Sequence, residues 1–82
     1  MRITVRYFAA AAAAANTDSV VVDVPDTATM SDLEDLLGRG HPDLAKVLAR
    51  CSYLRDSVAV RDKQTRLAPC TAIDVLPPFA GG

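Results

Sequence analysis

The run Asp74-Val75-Leu76-Pro77-Pro78-Phe79-Ala80-Gly81-Gly82 has residue types suited to chemistry, and that chemistry belongs to the main chain. Pro77 and Pro78 fix φ and cannot donate to a ladder, so they end a strand and send the chain outward as a stiff polyproline-like segment. Phe79 to Gly82 can then extend to about 14 Å, at roughly 3.5 Å per residue. Gly81 and Gly82 lack Cβ, so they fit a narrow channel and adopt conformations closed to other residues. With Gly82 expected as the C-terminal residue, its α-carboxylate stands unshielded at the tip of this arm. A carboxylate with a pKa of about 3.5 is ionised at pH 7 and is a poor electrophile. Converted to an acyl-adenylate by another enzyme, it becomes reactive. At average frequencies of about 7% Gly and 5% Pro, a terminal Gly pair arises about once in 200 and a Pro pair at a given place about once in 400. Coincidence is therefore a poor account of the motif.

The other reactive residues form no set. Cys51 and Cys70 lie 19 positions apart without CxxC spacing, and the chain has a single histidine, so the usual zinc ligands cannot be assembled and no metal site is expected. Two reduced thiols in a cytoplasmic protein is the simplest reading. His41 has no Cys, Asp or Ser partner placed by sequence to use it. Asp32, Glu34 and Asp35 cluster at a helix start, where carboxylates complement the helix dipole. No GxSxG, Gly-rich phosphate loop or HExxH is present. Arg50, Arg55 and Arg61 read as solvated charges, available for ion pairs with a partner.

The whole chain bounds these readings. Its 82 residues allow one small core and no deep cleft between two lobes, and a hydrophobic share of 50% fits a folded domain. Nine Lys plus Arg against ten Asp plus Glu are interspersed, with no basic stripe, which argues against a nucleic-acid surface. The opening MRITVRYF alternates polar and apolar from its second residue, so neither a secretory signal nor a membrane span is expected, and the protein is expected in the cytoplasm.

The elements that must position the C-terminal arm follow from periodicity. In RITVRYF, Ile3, Val5 and Tyr7 share one strand face and Arg2, Thr4, Arg6 and Phe8 the other. Ala9 to Ala15 reads as a short helical or partly frayed connection, since alanine favours helix yet offers little to pack. DSVVVDVP gives a second strand with Val20, Val22 and Val24 on one face, closed by Pro25. A helix follows, capped by Thr29 with Asp32 or by Ser31 with Glu34, with Met30, Leu33, Leu36 and Leu37 at helical spacing, and Gly38 and Gly40 stopping it. Pro42 and Asp43 suit the first turn of a short helix carrying Leu44, Val47, Leu48 and Cys51 on one face, with His41 at or beside its N-cap. DSVAVR predicts a strand with Val58 and Val60 inward, DKQT a turn, and Leu67 a short stretch broken at Pro69. AIDVLPP predicts a last strand with Ile73 and Val75 inward. The order implies an α+β roll with a mixed sheet covered on one face by a helix. If the last strand lies parallel to the first, both are central. The expected organisation is a domain over residues 1–76 and a flexible tail over residues 77–82.

An N-terminal hairpin, a helix and a last strand running into Gly-Gly resemble the β-grasp, ubiquitin-like sulfur carriers. Within that group VLPPFAGG is similar to the ending of the small subunits of molybdopterin synthase, which close on Pro-Pro, an apolar residue, a small residue and Gly-Gly. VRYFAAAAAAA fits as well, since that family often begins with a strand ending in Tyr-Phe-Ala before an Ala-rich helix. RCSYLRDSVAVRD and IDVLPPFAGG look like actinobacterial members. One departure is Cys70-Thr71, after Pro69, where many members have Gly-Asp in the turn before the last strand.

The resemblance implies a non-catalytic sulfur-carrier subunit of a heteromeric sulfurtransferase whose active site lies mainly on a large subunit. An E1-like adenylyltransferase using ATP and Mg would adenylate the Gly82 carboxylate, and a sulfur donor such as a sulfurtransferase would convert it to a thiocarboxylate. The tail would then deliver sulfur to a cyclic pyranopterin monophosphate in the large subunit of molybdopterin synthase. In that scheme Gly82 reacts, Gly81 gives clearance, Pro77, Pro78 and Phe79 orient the arm, and Ala80 completes the partner-binding tail. No cofactor would be bound by the chain itself, and neither nucleic acid nor membrane would be a partner. Other readings are a carrier for cysteine or thiamin-thiazole synthesis, a ubiquitin-like modifier of lysines, which starts from the same adenylate, and an interaction module with a disordered tail.

Overall fold

A computed structural model describes residues 1–78. Strand β1 (Arg2–Tyr7) buries Ile3, Val5 and Tyr7 and exposes the residues between them, as its alternation requires. Helix α1 (Ala10–Ala15) and the strand β2 (Ser19–Asp23) follow, then α2 (Met30–Gly38), α3 (Pro42–Leu48), β3 (Ser52–Arg55), β4 (Val58–Ala59) and β5 (Ala72–Leu76). The sheet order is β2-β1-β5-β3-β4. The first and last strands pair in parallel at its centre, with Val5 beside Ile73 and Tyr7 beside Val75, while the other pairs are antiparallel. This mixed five-stranded sheet, gripping helices on one face, is the expected β-grasp roll.

The core lies between that face and α2 and α3. Ile3, Val5, Ile73 and Val75 meet Met30, Leu33 and Leu48, all fully buried. Each such side chain contributes about 1.5–3 kcal/mol by leaving water. The two candidate caps for α2 resolve to one: Thr29 Oγ1 accepts from the Asp32 N–H at 3.2 Å, and the Asp32 carboxylate accepts from the Thr29 N–H at 2.9 Å. Gly38 was expected to stop this helix but is its last residue. A Cβ there would lie 3.1 Å from the Ala45 Cβ, so its role is close approach of α2 to α3. The left-handed turn falls at Gly40, φ 76°. Pro42 opens α3 with His41 at its N-cap, as expected, although the His41 side chain makes no capping hydrogen bond.

Two other expectations need correction. The strand sought in DSVAVR is shifted: the main strand is Ser52–Arg55, with Tyr53 buried, and β4 holds only two residues. Asp56 and Ser57, at φ 46° and 72°, turn the chain sharply into β4 at the sheet edge. Val58 is therefore 68% exposed instead of inward, whereas Val60 does pack against the core. Leu67 is fully buried, but its neighbourhood forms only an isolated bridge, Arg66 to Thr29.

The alanine run becomes intelligible in three dimensions. Ala11 is fully buried and α1 runs close to α3, a spacing that larger side chains would obstruct. The turn into α1 is tight. Ala9 sits at φ 48°, ψ −123°, a region natural for glycine and strained for a residue with a Cβ. Relief of about 1–3 kcal/mol of strain exceeds the roughly 0.4–1 kcal/mol by which glycine favours the unfolded chain. Ala9→Gly is expected to stabilise the fold by about 1 kcal/mol, raising Tm by about 4–8 °C. Thermal and urea unfolding check this, and a lowered Tm would show that the turn is not strained.

Candidate functional site: the root of the C-terminal arm

The feature to be positioned is the chain that leaves β5. Its strand is paired along both edges, by β1 and by β3, and Ile73 and Val75 are fully buried. The Phe8 N–H donates to the Val75 carbonyl at 3.2 Å, closing the ladder with β1 next to the exit. Pro77 is buried and Pro78 exposed, so the chain turns to the surface between the two prolines, which can extend no ladder. Phe79, Ala80, Gly81 and Gly82 lie outside the described residues.

Polar contacts fasten this strand at its start and middle. Before β5 the Asp56 carboxylate accepts from the Thr71 N–H at 3.0 Å, the Ala72 N–H at 2.9 Å and the Thr71 hydroxyl at 3.0 Å. The N–H groups of Thr71 and then Ala72 hold its carboxyl below the usual carboxylate range. The turn in which Cys70-Thr71 stands for the commoner Gly-Asp is thus well satisfied: Thr71 uses both N–H and hydroxyl, and Cys70 is buried. On the sheet face away from the helices, Arg6 and Asp74 are register partners. Arg6 Nε donates to Asp74 Oδ1 at 2.5 Å and Nη2 to Oδ2 at 3.0 Å, a bidentate fork over an aspartate that is only 8% exposed.

The remaining chemical candidates serve the scaffold. Glu34 Oε2 lies 2.7 Å from the Tyr53 hydroxyl and 2.8 Å from Lys63 Nζ, Asp32 closes the cap of α2, and His41 is exposed. Burial, then the Glu34 charge, pushes the Cys51 thiol up; burial, then the Asp56 charge, does the same to Cys70. Both thiols are free, and Cys51 Sγ faces the Val47 carbonyl at 3.1 Å. Both shifts run opposite to the lowering that activates a thiol. Among the described residues no helix is long and apolar enough to cross a membrane.

A family model for the ThiS family matches residues 5–82. The chain belongs to the ThiS family. It is thereby one of the ubiquitin-like sulfur carriers that its sequence resembles. Among solved structures it is similar to SAMP1 from Haloferax volcanii, with 28% identity, a TM-score of 0.83 and complete coverage of both chains. It shares its fold with a putative molybdopterin converting factor, subunit 1, from Pyrococcus furiosus, with 20% identity, a TM-score of 0.83 and coverage of 96% of this chain and 99% of that one. A protein-protein complex of subunits 1 and 2 of the molybdopterin-converting factor from Helicobacter pylori supplies a further match, with 21% identity, a TM-score of 0.71 and complete coverage of both chains.

For this ThiS-family chain, sequence reasoning named Pro77 and Pro78 at the exit and missed the contacts that hold it. Arg6 and Asp74 carried a usable signal, since opposite charges stand at outward positions of two strands expected to pair. Asp56 carried none, because it is distant in sequence from Thr71. Its contribution to stability has a defined sign. With the folded pKa below the ordinary 3.8, the contribution is complete above that value and is lost as the pH falls through the folded pKa. Asp56→Asn is therefore expected to lower Tm by a constant amount between about pH 7 and pH 5, with the difference from wild type shrinking below about pH 4. Thermal melts across that range decide the matter, and a pH-independent difference would remove the carboxylate from the explanation.

Proposed function

We propose that this chain is the small, sulfur-carrying subunit of a molybdopterin synthase, acting in the cytoplasm. The observation that most supports the reading is the run Pro77-Pro78-Phe79-Ala80-Gly81-Gly82 following directly on a strand paired along both edges. That arrangement gives a fixed root and an unbranched arm. The Gly82 carboxylate attacks the α-phosphate of ATP on an E1-like adenylyltransferase, releasing pyrophosphate. The terminal sulfur of a donor persulfide then attacks the acyl carbon and displaces AMP, and a thiol splits the resulting acyl disulfide, leaving a thiocarboxylate on Gly82 and the donor as a disulfide. The arm enters the large synthase subunit and passes its sulfur to a cyclic pyranopterin monophosphate, toward the dithiolene. Pro77, Pro78 and Phe79 orient the arm, and Ala80 and Gly81 keep it slender enough to enter.

A second reading rests on the full-length, 28% identical match to SAMP1 from Haloferax volcanii and the 27% identical match to small archaeal modifier protein 1 from H. volcanii. In that reading the same adenylate ends as an isopeptide bond to a lysine of a target. Incubation with an activating enzyme, ATP and a sulfur donor separates the two. Intact mass is expected to show one oxygen replaced by sulfur at the C-terminal peptide, whereas conjugates linked through Gly82 to lysine, with no thiocarboxylate, select the modifier.

Arm length is the second test. Adding one residue after Gly82, or deleting Gly82, is expected to abolish sulfur transfer to the pterin precursor while leaving the melting curve nearly unchanged, because terminal residues contribute little to a core. Activity retained by the extended chain would defeat the mechanism.

A further inference from the structure

The sheet face opposite the helices has an unusual centre. Asp74 points to this face, where water could solvate it, yet it is 8% exposed and its hydrogen bonds among the described residues come from Arg6. Arg6 spends the Nε–Nη2 edge of its guanidinium on that fork. A guanidinium has five N–H donors, so three remain without a partner among the described residues, two on Nη1 and one on Nη2, and one from each nitrogen makes up the second, Nη1–Nη2 edge of the plane. The Arg6 side chain is 49% exposed.

Its surroundings are apolar and charge-balanced. Phe8 is 43% exposed and Val21 56% exposed, and Leu54, the register partner of Asp74, and Leu76 share the face half-buried. Beside Arg6 runs a shallow groove of about 490 Å³, bounded also by Thr4, Phe8, Ala9, Asp18 and Ser19. Asp74 offsets the Arg6 charge and Asp18 stands at the same groove, so an added carboxylate would be repelled there. Phe8, exposed on this face, stands at the exit of β5, where its N–H bonds the Val75 carbonyl, so a protein that receives the arm comes up against this end of the face. Covering Arg6 strands three donors unless the newcomer supplies acceptors, and unmet buried donors are costly.

We infer that Arg6 is a recognition residue for the large synthase subunit, with its free guanidinium edge taking neutral oxygen acceptors, main-chain carbonyls, from that partner inside a ring of apolar contacts to Phe8, Val21 and Leu54. Asp74 positions the guanidinium and neutralises it, so the contact carries orientation without long-range attraction. The inference rests on the function proposed above.

The test uses Arg6→Lys, which keeps the charge beside Asp74 and loses the planar fork. Surface plasmon resonance with the purified large subunit from the same source, at several salt concentrations, is expected to show about tenfold weaker binding, carried by faster dissociation, with an unchanged association rate and unchanged salt dependence. As a readout independent of any variant's folding, the Arg6 Nη resonances of the wild-type chain are expected to shift and become protected from exchange when the large subunit is added. Equal affinity of wild type and Arg6→Lys, or Arg6 resonances that do not respond to binding, would overturn the inference and leave the proposed function standing. A flattened salt dependence in Arg6→Gln would also overturn it, by showing a partner carboxylate. Absence of wild-type binding would take down the proposed function, and the inference with it.

Discussion

The parallel pairing of the first and last strands is the interaction on which the rest of the molecule depends. Val5 beside Ile73 and Tyr7 beside Val75 join segments almost the whole chain apart, so this contact forms only when the chain between them has folded around the pair. Parallel strands need a crossover, and here the crossover contains β2 and the helices α2 and α3. The buried face of β1 and β5 then gives α2 and α3 a surface to cover, and β2 and β3 take the two flanks. The exit of the C-terminal segment is thereby set by the most buried strand.

Much of this was legible because period and burial coincide. Ile3-Val5-Tyr7 and Ile73-Val75 alternate cleanly, and Met30, Leu33 and Leu37 recur at helical spacing, so β1, β5 and α2 were predicted from local pattern and found in place. Pattern failed where local chemistry and tertiary position disagree. Val58 and Val60 have stronger β preference than Ser52-Tyr53-Leu54-Arg55, yet the latter pair with β5 because Tyr53 buries its ring and sets its hydroxyl 3.0 Å from the Leu48 carbonyl and 2.7 Å from Glu34. Gly38 reads as a terminator in any local scheme, and only the approach of α3 reveals it as a contact point. At the site, the two prolines were evident in the sequence, whereas Asp56 acts across 15 residues of sequence on Thr71 and leaves no local trace.

Four carboxylates are committed to architecture. Asp32 caps a helix, Glu34 ties α2 to Tyr53 and Lys63, Asp56 secures the entry to β5, and Asp74 holds Arg6. Burial raises both thiols. These carboxylate contacts stiffen the body from which the C-terminal segment of this ThiS-family chain departs.

The central place of β5 also has a mechanical meaning. A strand at a sheet edge, pulled at its end, peels from its single neighbour one rung at a time. β5 is bonded to β1 on one side and β3 on the other, so tension along its axis loads both ladders in shear, and many rungs must yield together before the strand slides. A protein that grips the C-terminal segment can therefore draw it taut into a confined space without unravelling the body behind it.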